Sequence, residues 1–107
     1  MAAASELGKR GYRIIGSNYR CRSGEIDLIA RDGDTLVFVE VRCKRTADYG
    51  TPAESITQAK QQKLAATAQH YLIEHGLEDV DCRFDVAEVS PANGGLAVHV
   101  IRDAFSV

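Results

Sequence analysis

Three carboxylates lie inside two short apolar segments of this chain, where folding requirements alone would not place them. Glu25 and Asp27 belong to the segment 24–30, Gly-Glu-Ile-Asp-Leu-Ile-Ala, and Glu40 belongs to the segment 35–42, Thr-Leu-Val-Phe-Val-Glu-Val-Arg. Both patterns predict β-strands, and a charge in a half-buried strand is costly unless a cation, a metal ion or a substrate compensates it. These two segments are therefore the best candidate for an active site.

The residues between the two segments predict a hairpin, and the turn length decides which carboxylates are neighbours. If Asp32-Gly33 form a two-residue turn, Glu25 lies opposite Glu40 and Asp27 lies diagonal to it. If the loop covers 32–35 instead, Asp27 lies directly opposite Glu40. Because side chains alternate between the faces of a strand, both loop lengths put Asp27 and Glu40 on one face of the sheet. A three-residue loop or a bulge would separate them.

Clustered carboxylates repel one another and raise their own pKa values. A divalent cation relieves this repulsion, and Mg²⁺ typically uses one or two carboxylates while keeping several waters. Arg42 follows Glu40 by two residues on the same predicted face and adds a positive charge beside any bound anion. Such a site suits attack on a phosphodiester, because a metal ion activates water and stabilises the developing charge.

The same segments resemble the nuclease superfamily written PD-(D/E)-x-K, and in particular the small bacterial YraN-like family, which is related in fold to archaeal Holliday-junction resolvases. The resemblance runs along nearly the whole chain. Its further matching segments are Arg10-Gly11-Tyr12, Asn18-Tyr19-Arg20-Cys21-Arg22, Ala59-Lys60-Gln61-Gln62-Lys63-Leu64 and Arg83-Phe84-Asp85-Val86. It implies an α/β fold of the restriction-endonuclease type, in which helices flank a mixed β-sheet, and an endonuclease that uses Mg²⁺ or Mn²⁺ to cleave DNA.

The resemblance also implies roles for individual residues. Asp27 and Glu40 would be metal ligands, the backbone carbonyl of Val41 a further ligand, and Glu25 an assisting carboxylate. Arg42 stands where the superfamily usually has Lys and would contact the scissile phosphate. This is a departure from the pattern, since Arg cannot lose a proton to activate water but can clamp a phosphate through two hydrogen bonds.

Basic residues are concentrated in the first part of the chain. Residues 1–63 carry eleven Lys or Arg and eight Asp or Glu, whereas residues 64–107 carry two and seven. The residues expected to contact DNA phosphates are Arg20, Arg22, Lys44, Arg45, Lys60 and Lys63. A solvated surface without a nucleic-acid partner is the competing interpretation of these charges.

Composition and length predict one globular domain covering 1–107, with 45% apolar and 26% charged residues. The family's acidic residue on the first helix would fall ahead of Met1, so this helix is expected to be truncated. No long apolar run or signal peptide is present, which predicts a cytoplasmic protein without a membrane anchor. The three cysteines show no zinc or disulfide spacing and are expected to be reduced packing residues; they are Cys21, Cys43 and Cys82.

Apolar periodicity and turn residues predict the elements. We expect helices at 2–10 and from 55 or 57 to 75, and strands at 12–21, 24–30, 35–44, 82–89 and 96–101, with the first strand interrupted at 16–18 and a loop at 45–53. Asp85 lies in an apolar strand and is expected to pair with a basic side chain or to support the site from behind.

Three functions remain open at this point. The leading one is a structure-selective nuclease acting on branched or flapped DNA, with a homodimer expected if the junction is symmetric. The second is a catalytically inactive nucleic-acid-binding or scaffold module of the same fold, and the third is a structural partner domain. In the inactive cases Asp27 and Glu40 would form structural ion pairs with Arg42 or Arg22. Divalent-ion binding separates the first function from the others, and salt-dependent DNA affinity separates the second from the third.

Overall fold

The computed structural model describes residues 2–43, 56–77 and 79–105. The elements are helix α1 (Ala2–Lys9), strands β1 (Arg13–Cys21), β2 (Gly24–Asp32) and β3 (Thr35–Cys43), helix α2 (Gln58–Glu74), and strands β4 (Cys82–Ala92) and β5 (Gly95–Phe105). The five strands form one sheet in chain order. β3 and β4 are parallel and the other neighbours are antiparallel, which confirms the predicted α/β fold with a mixed sheet. The predicted loop 45–53 lies outside the described residues.

Two apolar clusters cover the opposite faces of the sheet. The cluster beneath α1 contains Ala3, Leu7, Tyr12, Leu28, Ala30, Val37, Val39, Ala87 and Val89. The cluster beneath α2 contains Ile26, Ile29, Leu36, Phe38, Leu64, Ala68, Tyr71 and Phe84. Each helix therefore buries one face of the sheet, and removal of this apolar surface from water is the main favourable term in folding.

The β2–β3 hairpin turns at Gly33-Asp34, between the paired residues Asp32 and Thr35. The turn lies one residue later than the predicted turn at Asp32-Gly33. The hairpin in which Glu25 lies opposite Glu40 is therefore wrong. Gly33 has φ of 62°, a conformation that a glycine adopts without steric cost. The observed pairs run from Asp32 and Thr35 to Leu28 and Val39, and this register continued by one residue places Asp27 level with Glu40.

The strict alternation expected along β2 is wrong at Asp27. Ile26 packs in the cluster beneath α2, whereas Leu28, two residues later, packs in the cluster beneath α1. Asn18, on the neighbouring strand, adopts φ of 51°. A residue in this left-handed region bends a strand and shifts its alternation, as a bulge does. The predicted interruption at 16–18 is thus a distortion within a continuous strand, and Ile26 shares a face with Ile29.

Helix α2 approaches the first residue of β2 closely. Gly24 has φ of 151°, and a Cβ atom added there would lie 3.2 Å from Thr67 Oγ1. Thr67 is fully buried, and its hydroxyl donates to the carbonyl of Lys63 at 2.8 Å. Gly24 is required both for its backbone conformation and for the space that its missing side chain leaves to the helix.

A buried carboxylate on the α1 side ties distant elements together. Asp85 is fully buried and accepts hydrogen bonds from Tyr12 Oη at 2.6 Å, Arg83 Nε at 3.0 Å and the backbone N–H of Asp103 at 2.9 Å. Arg83 also donates to Asp32 at 2.8 Å. The expected pairing of Asp85 with a basic side chain is confirmed, and its partners on the α1 side separate it from Glu40.

Two cysteines differ from the expectation. Cys43 and Cys82 are exposed thiols, and Cys21 is partly buried. The packing interpretation is wrong for these two exposed thiols, which lie at the last residue of β3 and the first residue of β4. Within the described ranges, no helix is long and apolar enough to cross a membrane.

We predict that Gly24→Ala destabilises the fold by about 1–3 kcal/mol, because the new methyl group meets Thr67 in a backbone conformation that alanine avoids. Gly16→Ala is the matched control on β1, since its added Cβ would meet Ile29 only at an ordinary 3.8 Å. Denaturant unfolding of both variants measures the difference. Equal stabilities would show that α2 does not depend on the close approach at Gly24.

Candidate active site

Two carboxylates from adjacent strands meet where β2 begins and β3 ends. Asp27 Oδ2 accepts a hydrogen bond from the backbone N–H of Val41 at 2.8 Å. This bond joins the Asp27 side chain to the backbone of β3 near the open end of the hairpin. Glu40 is the residue before Val41 on β3. We call Asp27 and Glu40 the carboxylate pair.

Asp27 is held in an environment that disfavours its charge. Burial raises the pKa of its carboxyl group, and the Val41 hydrogen bond opposes that rise. The negative charges of Glu40 and Glu25 raise the pKa further, and the positive charge of Lys60 lowers it. Burial and like charges together outweigh the hydrogen bond and the cation, which is the electrostatic signature of a place suited to a further cation.

Glu40 forms an ion pair with a residue of α2. Lys60 Nζ lies 2.9 Å from Glu40 Oε1, and the side chains of Lys60 and Glu40 are 45% and 11% exposed. The alternative in which Arg42 or Arg22 neutralises the carboxylate pair is therefore wrong for Glu40. The helix crosses above the face of β3 that carries Glu40, and this supplies a cation that the strand sequence does not.

Glu25 lies beside the carboxylate pair but has its own partner. It pairs with Arg20 across the β1–β2 ladder, in register and close to the solvent. Among the residues that the structure describes, no three His, Cys, Asp or Glu side chains are grouped to hold a metal ion. The structure thus brings Asp27 and Glu40 together and leaves Glu25 as a nearby charge.

Among the remaining predicted residues, the structure describes Arg22, Lys63 and Arg42. Arg22 is exposed in the β1–β2 turn, and Lys63 is exposed on α2, one turn beyond Lys60. Arg42 is partly buried near the end of β3 and makes no ion pair with another described residue. Lys44 and Arg45 lie outside the described residues.

Two features of the site were missed by the sequence reasoning. Lys60 was expected to face DNA, and its ion pair with Glu40 was not predicted. The signal was its place in the first turn of a helix, where acidic residues are favoured over basic ones. Glu88 was not singled out. It lies level with Arg42 in the parallel β3–β4 ladder and is a carboxylate only 9% exposed. Its position inside an apolar strand segment is the same signal that identified Glu25, Asp27 and Glu40.

The fold and the site together define the class of this protein. It is an α/β protein with a mixed sheet and a carboxylate pair at the end of a hairpin. Residues 1–89 match the uncharacterised protein family UPF0102, and the chain belongs to this family. A UPF0102 protein of Symbiobacterium thermophilum is 55% identical over 97% of this chain and 89% of its own length. A UPF0102 protein of Syntrophus aciditrophicus is 46% identical over 98% of this chain and 83% of its own length. A UPF0102 protein of Geobacter sulfurreducens is 49% identical over 82% of this chain and 69% of its own length.

We predict that Asp27→Asn keeps or raises the stability of the metal-free protein at neutral pH. The folded pKa of Asp27 is raised, so its contribution to stability is present below the unfolded pKa and is lost as pH rises through the folded pKa. The gain from the substitution should therefore grow from acidic to neutral pH. Thermal unfolding at several pH values measures it, with Asp34→Asn in the exposed turn as the control. A loss of stability that is greatest at neutral pH would contradict this account of Asp27.

Proposed function

We propose that this protein is a metal-dependent nuclease that hydrolyses DNA phosphodiesters and selects branched or flapped DNA. The observation that carries the proposal is the carboxylate pair itself. Asp27 and Glu40 share one end of the hairpin, and the pKa of Asp27 is raised first by burial and then by the negative charges of Glu40 and Glu25. Carboxylates that repel one another weaken a fold, so their presence inside apolar strands favours a role in binding a cation.

The donor set fits Mg²⁺ or Mn²⁺. Both ions prefer oxygen ligands, and Mg²⁺ is commonly held by one or two carboxylates with water completing its shell. Asp27 uses one oxygen to accept from Val41 N–H, which leaves its other oxygen for an ion. Glu40 and the Val41 carbonyl would supply further ligands, with Glu25 contributing charge. The bound ion would act as a Lewis acid and lower the pKa of an attacking water.

The chain's own cations would hold the DNA. Arg42 has a fixed charge and no ion-pair partner within the described ranges, so it is suited to clamping the scissile phosphate. Arg22 and Lys63 would contact flanking phosphates, with Lys44 and Arg45 continuing the chain from β3. Arg20 would join them by leaving Glu25, since an exposed ion pair costs little to break. Free thiols throughout agree with a protein that meets DNA in the cytoplasm.

A second function is favoured by one observation. Lys60 neutralises Glu40 without a metal ion, and Arg42 stands in place of the lysine usual in the superfamily. A protein that kept this fold as a DNA-binding or scaffold module would need no more than these contacts. It would bind DNA with a strong dependence on salt and would not cleave it.

The direct test is incubation of the full chain with Mn²⁺ and a panel of branched, flapped and linear DNAs. We predict cleavage of the branched or flapped substrates, and a fall of at least about 100-fold in rate for Asp27→Asn and for Glu40→Gln, because each removes a metal ligand. Asp34→Asn is the control, since it removes an exposed carboxylate of the turn. Cleavage that survives both site substitutions would place the chemistry elsewhere. Binding of DNA without cleavage would favour the second function.

A separate prediction concerns Arg42. Arg42→Ala should weaken DNA binding by about 1.5–3 kcal/mol if the contact is charge-assisted, and Arg42→Lys should retain binding and cleavage. The melting temperature of Arg42→Ala should stay close to that of the parent protein, because Arg42 forms no ion pair with the described residues. DNA affinity and melting temperature are measured on the same variant. A lower melting temperature with unchanged affinity would make Arg42 a structural residue.

A further inference from the structure

Lys60 occupies a position where a helix does not favour a positive charge. Helix α2 begins at Gln58 behind the N-cap residue Thr57, whose side chain accepts from the Lys60 backbone N–H at 3.1 Å. The N-terminal end of a helix carries partial positive charge, which favours acidic residues in the first turn. This first turn contains none. A lysine placed there needs compensation, and Glu40 provides it.

The surroundings of Lys60 link it to both members of the carboxylate pair. Its ammonium group lies 2.9 Å from Glu40, which is almost buried. Its positive charge also lowers the pKa of Asp27, against burial and the charges of Glu40 and Glu25. Within the described residues, no other cation has an ion pair with Asp27 or Glu40. Lys60 is therefore the cation that the carboxylate pair holds when no metal ion is present.

We propose that Lys60 is a resident counter-cation of the carboxylate pair, and that a divalent ion competes with it and displaces it from Glu40. This inference rests on the proposed metal site and adds a regulatory step to it. The ammonium group and a metal ion are both cations drawn to the same carboxylate, so each repels the other and weakens its binding there. Displacement leaves the ammonium group on an exposed helical turn beside the ion, where it is free to contact a DNA phosphate. Binding of metal and binding of DNA are then coupled through one side chain.

The test is calorimetric titration of the full chain with Mn²⁺ in the absence of DNA. Lys60→Met keeps a side chain of similar length and removes the competing charge, so its dissociation constant for Mn²⁺ should fall by about threefold to tenfold. Lys60→Arg keeps the charge and should bind as the parent protein does. Lys9→Met, at the end of α1, controls for the loss of one positive charge elsewhere. The melting temperature of Lys60→Met should be lower without Mn²⁺ and should rise more when Mn²⁺ is added.

The outcomes separate this inference from the proposed function. If Lys60→Met binds Mn²⁺ more tightly than the parent protein and Lys9→Met does not, competition between Lys60 and the ion is supported. The same holds if only Lys60→Met binds Mn²⁺ measurably. Equal or weaker binding by Lys60→Met, with binding still abolished by Asp27→Asn, overturns the inference and leaves the metal site intact. Absence of Mn²⁺ binding in the parent protein and in Lys60→Met overturns both.

Discussion

The parallel pairing of β3 with β4 is the constraint on which the site depends. Antiparallel neighbours are joined by short turns, but parallel neighbours require the chain to return to the same end of the sheet through a crossover. Helix α2 belongs to that crossover and covers the face on which Glu40 lies. Without the crossover, Glu40 would stand at a strand end in solvent. With it, the carboxylate is almost buried and faces Lys60 at 2.9 Å.

The close packing of α2 on the start of β2 fixes the same geometry from the other side. Gly24 admits Thr67 at the place where the strand begins, three residues before Asp27. The distortion at Asn18 then sets Ile26 beneath the helix. A glycine at a close contact and a left-handed residue thus belong to one arrangement, which brings the helix over the carboxylates.

Asp85, which is buried, and Asp27, which is partly buried, differ in how fully their carboxylates are satisfied by donors. Asp85 receives a hydroxyl, a guanidinium and a backbone N–H, and Arg83 among these carries a compensating charge. From the residues that the structure describes, Asp27 receives one backbone N–H, and it lies near the charges of Glu40 and Glu25. Because an ionised group in a partly buried place is stable only with sufficient donors or cations, Asp85 is complete as a structural group. Asp27 is the one whose environment a further cation would improve.

Much of the fold could be predicted from local sequence. The predictions that were wrong have physical reasons. Apolar runs and turn residues indicated the hairpin, both helices and the later strands, because these depend on residues close in the chain. The position of Ile26 was predicted wrongly because period-2 alternation assumes a regular strand, and Asn18 bends its neighbour. The pairing of Lys60 with Glu40 joins residues twenty apart through a crossover, so no local pattern contains it.

The proposed function requires the carboxylate pair to be a metal centre. Crystals of the protein soaked in Mn²⁺, with diffraction recorded where manganese scatters anomalously, test it most directly. We predict a manganese peak contacted by Asp27 and Glu40, with the Lys60 ammonium group moved away from Glu40. A map without manganese at this position, in which Lys60 still contacts Glu40 at saturating Mn²⁺, would contradict it.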